Sequence, residues 1–482
     1  MVYSIYNKME DSVMYGFRLP EDFLIGTANS AFQSEGAVDR DGKSENMMEY
    51  FARKFAGKYS PAVEAQLKAG RIKSGRIEPN SEQLPDNGCF FYDNYEAYID
   101  DMAKTGQNVY RLSLSWCRII PTGVGAVNQK GIKFYNKVIN KLLENHITPF
   151  VDLYHWDLPQ CLHEQGGFEN PLFPEWFESY AKVCFDAFGD RVKLWSTFNE
   201  PHVFIHGGYG NGSFPPFVVD KKRALLAGHH VILAHFRAVR LLRQMYPDSK
   251  IGAVHCTSAV HPAGMNEDDI KAVEIQYEHT FGWWVQPMLE GTYPQFVIDE
   301  LPDFIKNNMP ENYQADLDKW FVPMDFVGLN YYKADRTEYI EDKRLHSRPV
   351  EPFYSSPGQQ FIPYPPGLFD TVMHIHEKYK GIDIYITENG CALRNRNDRE
   401  AECDDPERID YLREHLRMVC RLIQIGVNLK GYFYWNDADS YEELDGYRLR
   451  FGLTWVDHET GERIWKKSRH YFSEICKSKK VN

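Results

Sequence analysis

Two stretches of this chain end a run of strand-forming residues in a glutamate beside an asparagine. They are Leu194-Trp195-Ser196-Thr197-Phe198-Asn199-Glu200-Pro201 and Ile384-Tyr385-Ile386-Thr387-Glu388-Asn389-Gly390. Apolar, aromatic and β-branched residues favour an extended, buried backbone. Pro201 then stops the first run, because proline has no N–H for a ladder and restricts the residue before it. Two carboxyl groups held at the ends of two buried strands form a candidate pair for acid/base or nucleophilic work. The competing reading is a surface glutamate at the end of each strand, and the rest of the chain decides between them.

Other chemistries fail on spacing. His163-Glu164 begins a zinc-helix pattern, but the position four after His163 is Gly167, so no second ligand lies one turn on. His374 and His376 are two apart and fall on different faces of a helix. The glycines 207, 208, 210 and 212 lack dinucleotide-loop spacing and run into Pro215-Pro216. No metal and no cofactor is expected. With 68 acidic residues against 55 Lys and Arg, the net charge of −13 speaks against a nucleic-acid partner or an anionic membrane surface. Nine cysteines without metal-ligand spacing read as reduced thiols. Met1 to Pro20 has no apolar core of a signal peptide, and no apolar run is long enough to span a bilayer, so the chain reads as cytoplasmic.

The elements that must position the two glutamates alternate along the chain. Strand-like segments occur at 22–27, 108–116, 149–156, 192–200, 251–256, 325–332, 384–389 and 431–435. Between them lie stripes at helical spacing, such as Ile132, Tyr135, Val138, Ile139, Leu142 and Leu143, or Trp176, Phe177, Tyr180, Cys184 and Phe188. Alternation of this kind means parallel strands joined by right-handed crossovers. Eight of them predict an α/β fold, a single (β/α)8 TIM barrel with long βα-loop insertions in one domain over residues 1–482, with an open doubly wound sheet as the alternative. Residues 38–88 read as a long excursion above the first strand, and the charged stretch 391–406 as a loop over the cleft.

A barrel should carry its functional residues at the C-terminal ends of its strands. Those ends hold Gln33, Arg111 with Trp116, His155-Trp156, Asn199-Glu200, His255, Asn330 with Tyr332, Glu388-Asn389 and Trp435. Paired glutamates amid amide, imidazole and indole side chains suit cleavage of a glycosidic bond. Trp156 and Trp435 offer flat faces and N–H donors for a sugar ring.

Thr197-Phe198-Asn199-Glu200-Pro201 and Ile386-Thr387-Glu388-Asn389-Gly390 strongly resemble the two signature motifs of glycoside hydrolase family 1, the β-glucosidase family. The resemblance runs from Phe23 to Val456 and includes Gln33-Ser34-Glu35-Gly36, Tyr110-Arg111-Leu112-Ser113-Leu114-Ser115-Trp116, His155-Trp156-Asp157-Leu158-Pro159, Gly328-Leu329-Asn330-Tyr331-Tyr332 and Gly446-Tyr447-Arg448-Leu449-Arg450-Phe451-Gly452-Leu453. It implies a retaining β-glycosidase, a β-glucosidase first of all, acting on a small glycoside or oligosaccharide by double displacement. It implies Glu200 as general acid/base and Glu388 as nucleophile, about 5–5.5 Å apart. Arg111, Tyr332 and Asn330 would support the nucleophile; Gln33, His155, Trp156, Asn199, Trp435 and Glu442 would bind the sugar, and Glu443, which departs from the family, would either line the sugar site or face solvent.

The sequence departs from the family where Phe-Glu-Trp becomes Tyr441-Glu442-Glu443, which exchanges an indole for a second acid. A transglycosylase would use the same residues. A 6-phospho-β-glycosidase would want a cation near the last strand, where Arg448 and Arg450 occur, but Glu442 would repel the phosphate. A non-catalytic sugar-binding protein would more naturally have lost one glutamate. Self-association is left open.

Overall fold

The computed structural model describes residues 16–69, 79–300, 302–340, 344–349, 363–393, 399–443 and 445–482. Its strands in chain order are β1 (Leu24–Asn29), β2 (Val109–Ser113), β3 (Thr148–Tyr154), β4 (Leu194–Asn199), β5 (Lys250–Pro262), β6 (Phe326–Ile340), β7 (Arg344–Pro349), β8 (Asp383–Asn389), β9 (Leu429–Trp435), β10 (Thr454–Val456) and β11 (Arg463–Trp465). β1 to β6, β8 and β9 pair in parallel in chain order. β9 returns to β1, with Ala28 opposite Trp435, so the ring closes as an eight-stranded barrel. Helices such as Phe91–Thr105, Gln129–Glu144, Phe173–Phe188, Lys221–Met245, Pro365–Lys378 and Pro406–Gln424 fill the crossovers.

Side chains alternate along a strand, so every second residue of β2, β3, β6, β8 and β9 enters the barrel. The lower layer is aromatic. The Phe150 ring lies 5.5 Å from Phe326, 5.8 Å from Tyr385 and 5.4 Å from Phe433, each edge to face, the arrangement that opposed ring quadrupoles favour. This plug closes the floor. Two residues further along β2 and β3 the same face is polar, with Arg111 and Asp152, and the chemistry sits there. The wall is tight enough to require glycine at position 26, where a Cβ would stand 1.9 Å from the Val109 carbonyl oxygen.

Trp116 is a packing residue: its ring stacks on Tyr180 at 4.6 Å and its N–H donates to the Gly123 carbonyl. His255 does not end its strand, because β5 continues to Pro262; it is buried against Phe281. β6 likewise continues to Ile340, and β7 pairs with that extension antiparallel, Asp335 opposite Pro349. Sequence reading stopped both strands at the barrel rim because apolar runs give way there to polar alternation. In 38–88 the described chain forms helices Met47–Lys54 and Pro61–Lys68. Of the stretch 391–406, residues 394–398 lie outside the described residues. Arg399, which opens the helix Arg399–Cys403 within it, pairs with Glu462 in the turn between β10 and β11. No helix of the described residues is long and apolar enough to cross a membrane, and all nine cysteines are unpaired.

Phe150→Ala should open a hole in the aromatic floor and cost about 3–5 kcal/mol of stability. The urea midpoint measures this, and an unchanged midpoint would mean that the neighbouring rings refill the space.

Candidate active site

Glu200 and Glu388 line one cavity at the C-terminal rim of the barrel, together with Gln33, His155, Trp156, Asn199, Tyr332, Trp435, Glu442 and Glu443. Arg111 and Asn330 are fully buried and bond to those lining residues from behind. All twelve residues picked from sequence therefore belong to one constellation, drawn from seven strands or the turns directly after them and from the loop after β9.

Arg111 is its hub. One guanidinium nitrogen lies 2.6 Å from Glu388 Oε1; the other lies 2.6 Å from Asp152 Oδ2 and donates to Asn199 Oδ1 at 2.8 Å. Burial alone would disfavour the cation, but Asp152 and Glu388 raise its pKa above the ordinary value. Tyr332 donates to the second oxygen of Glu388 at 2.8 Å. Burial, and then the charge of Glu388, hold that phenol protonated and so a donor. Glu388 thus meets a cation on one oxygen and a hydroxyl on the other, which fixes its direction.

Asn330, expected to support Glu388, bonds elsewhere. Its amide nitrogen donates to Glu200 Oε1 at 2.8 Å and to Asn199 Oδ1 at 3.0 Å, and its amide oxygen accepts from the Thr387 hydroxyl. The pairing of β6 with β8 shifts register between Leu329 and Asn330, which turns the amide towards Glu200. With Arg111 and Asn330 both donating to Asn199 Oδ1, the Asn199 nitrogen faces His155 Nε2 at 3.0 Å. His155 accepts that bond, so its proton sits on Nδ1, 3.5 Å from Asp152. His155 and Asn199 therefore engage each other, and the His155 ring stacks on Trp435 at 5.5 Å. The Trp156 N–H donates to the Asn199 carbonyl, so this indole offers the cavity its ring rather than its donor.

Three non-glycine residues within two positions of strand ends adopt left-handed backbone: Trp156 (φ 72°), Glu200 (φ 54°) and Asn436 (φ 70°). Such conformations persist only where surrounding contacts enforce them. At Glu200 the backbone N–H is held by the Val254 carbonyl at 2.8 Å, while Pro201 starts a short helix. The Glu200 carboxyl is pushed up to about 8, first by burial and then by the negative Glu388, against the Asn330 bond that opposes the shift. It carries its proton at neutral pH.

Sequence reading missed Asp152, Cys256, Asn436 and Asp445. Asp152 accepts from Ser196 at 2.7 Å as well as from Arg111, and an acid inside an apolar strand was the available signal. Cys256 lines the cavity and hydrogen-bonds Glu200. Asn436 donates to Glu442 at 3.0 Å, and Gln33 donates to the other Glu442 oxygen at 3.2 Å. Among the described residues no Lys or Arg lines the cavity: Arg448 pairs with Asp445 and Arg450 with Asp439. None of the described residues forms a cluster of three or more His, Cys, Asp or Glu able to hold a metal ion.

A closed (β/α)8 barrel with a protonated and a cation-held glutamate in one rim cavity defines a class of barrel that cleaves bonds between a carbon and an oxygen by two-carboxylate chemistry. The chain belongs to glycosyl hydrolase family 1, whose model matches residues 16–481. It is 36% identical over 462 residues to β-glucosidase A of Thermotoga maritima, covering 96% of this chain and 98% of that protein. It is 35% identical to the 6-phospho-β-glucosidase GmuD of Bacillus subtilis, covering 95% of this chain and 98% of that one. The structure of the Thermotoga maritima β-glucosidase in complex with glucoimidazole superimposes with a TM-score of 0.86 at 35% identity, covering 96% of this chain and all of that one.

Because Arg111 is held between Asp152 and Glu388, Asp152→Asn should loosen the guanidinium and lower kcat/KM for glycoside cleavage by about tenfold or more, the scale of one charged hydrogen bond. A kcat/KM within about twofold of the parent would mean that Asp152 does not position Arg111.

Proposed function

We propose that this glycosyl hydrolase is a retaining β-glucosidase of unphosphorylated substrates, built as one catalytic unit, with Glu388 as nucleophile and Glu200 as acid/base. The observation that carries the reading is the opposite treatment of two neighbouring carboxyls: Glu388 receives Arg111 and Tyr332, whereas Glu200 is buried and kept protonated. A Glu388 oxygen attacks the anomeric carbon while Glu200 gives its proton to the departing glycosidic oxygen, leaving a glycosyl ester on Glu388. Esterification removes the charge of Glu388, the largest electrostatic cause holding the proton on Glu200. Glu200 is then a better base and takes a proton from the water that attacks the same carbon and frees Glu388. Asn199, next to both carboxyls through Arg111 and Asn330, is placed for the hydroxyl beside the reacting carbon.

Glu442, Glu443 and Asp445 on the cavity wall, with no lining cation among the described residues, support the preference for unphosphorylated glycosides. A dianionic 6-phosphate would face them directly. A panel of nitrophenyl β-glycosides with and without the 6-phosphate tests this, and a higher kcat/KM on the phosphorylated glucoside would refute it.

A 2-deoxy-2-fluoro β-glucoside should label Glu388, with retention of configuration in the products of ordinary turnover. Labelling of any other residue removes the nucleophile assignment. The basic limb of kcat/KM should lie near pH 8, with activity falling as pH rises through it, because cleavage needs the protonated Glu200. A limb insensitive to Glu200→Gln would take the proton from elsewhere.

A further inference from the structure

One wall of the cavity carries more carboxyl groups than a neutral sugar requires. Glu442, Glu443 and Asp445 all line it, beside Glu200 and Glu388. Two of the three are partly compensated: Asp445 by Arg448, and Glu442 by the amides of Gln33 and Asn436. Glu443 differs, since among the described residues no cation pairs with its carboxylate and no other side chain donates to it. Behind this wall the fully buried Asn436 gives its amide nitrogen to Glu442, and its carbonyl oxygen has no partner.

Burial pushes both Glu442 and Glu443 upward; the charge of Glu443 adds to the shift at Glu442, and that of Glu388 to both. A neutral hydroxyl answers an acceptor with one hydrogen bond and leaves that repulsion in place. A protonated amine answers with up to three donors and a positive charge.

We propose that the wall formed by Glu442, Glu443 and Asp445 selects a β-glycoside whose sugar carries a free, protonated amine, with Glu443 as the specificity-determining carboxylate. The inference rests on the reading of Glu388 and Glu200 given above. The amine position follows from the ends of the cavity. Glu388 and Asn199 take the reacting carbon and its neighbour. Glu442, tied to Gln33 after β1 and to Asn436 after β9, takes the far side of the ring. The amine therefore belongs on C3, C4 or C6, and an amine on C2 points away from Glu443.

The test compares kcat/KM for nitrophenyl β-glucoside with its 2-, 3-, 4- and 6-amino-deoxy analogues, each as free amine and as N-acetyl derivative, at pH 7 in the parent and in Glu443→Gln and Glu443→Asp. At least one of the 3-, 4- and 6-amines should exceed both the plain glucoside and its own N-acetyl form by about tenfold or more, the scale of one charged hydrogen bond. The 2-amine should gain nothing. In Glu443→Gln that ratio should fall towards one, while Glu443→Asp, which keeps the charge, should retain part of it. A plain glucoside preferred over every amine overturns the proposal, and so does a ratio that survives Glu443→Gln. Labelling of Glu388 by the fluoro-glucoside, followed in every variant, reports separately on the reading beneath it and shows that each variant is folded.

Discussion

A guanidinium sealed inside a barrel must be matched by anions, and nearly everything at the rim of this protein follows from how Arg111 is matched. Taking one ion out of water costs several kcal/mol, recovered only when partners sit at hydrogen-bond distance with their remaining oxygens also satisfied. Here the partners are Glu388 and Asp152, and their other oxygens receive Tyr332 and Ser196. The same guanidinium sets the amide of Asn199, which sets the imidazole of His155, which lies against Trp435. The orientation of the sugar-facing side chains is inherited from a single buried cation.

That arrangement divides the site electrically. Beneath Glu388 lie a cation and a phenol, while Glu200 has only the Asn330 amide and the Cys256 thiol. One carboxyl is gripped by a cation, and the other keeps a proton, first because it is buried and then because its neighbour is an acid. The aromatic floor of Phe150, Phe326, Tyr385 and Phe433 closes the barrel below this layer, which keeps the local dielectric low and the interactions strong.

The two glutamates were legible because strand-forming runs ending in polar residues announce the rim of a parallel barrel, and the eight-fold alternation announced the barrel itself. What escaped was written in details that periodicity does not carry. Asn330, expected to support the nucleophile, gives its amide to Glu200 instead, next to a register shift after Leu329. Asp152 sits in the middle of an apolar run, where a polar residue reads as noise unless the inward face is known to hold a cation. β5 and β6 were cut short because beyond the rim they face the barrel on neither side and lose the apolar signature. The stripe on the helix Gln129–Glu144 was drawn one residue too wide, for Leu143 is 37% exposed. Glu443 was placed in the cavity by motif alignment, and its lack of a cationic partner became visible only in three dimensions.

The left-handed backbone at Trp156, Glu200 and Asn436 has an evolutionary consequence. Each of these positions would be more comfortable as glycine, which adopts that conformation without the penalty a Cβ brings, on the order of 1 kcal/mol. Drift under selection for thermal hardiness alone would therefore run towards replacing an acid, an indole and an amide by hydrogen. At the rim, backbone comfort is given up for the three side chains that this conformation aims.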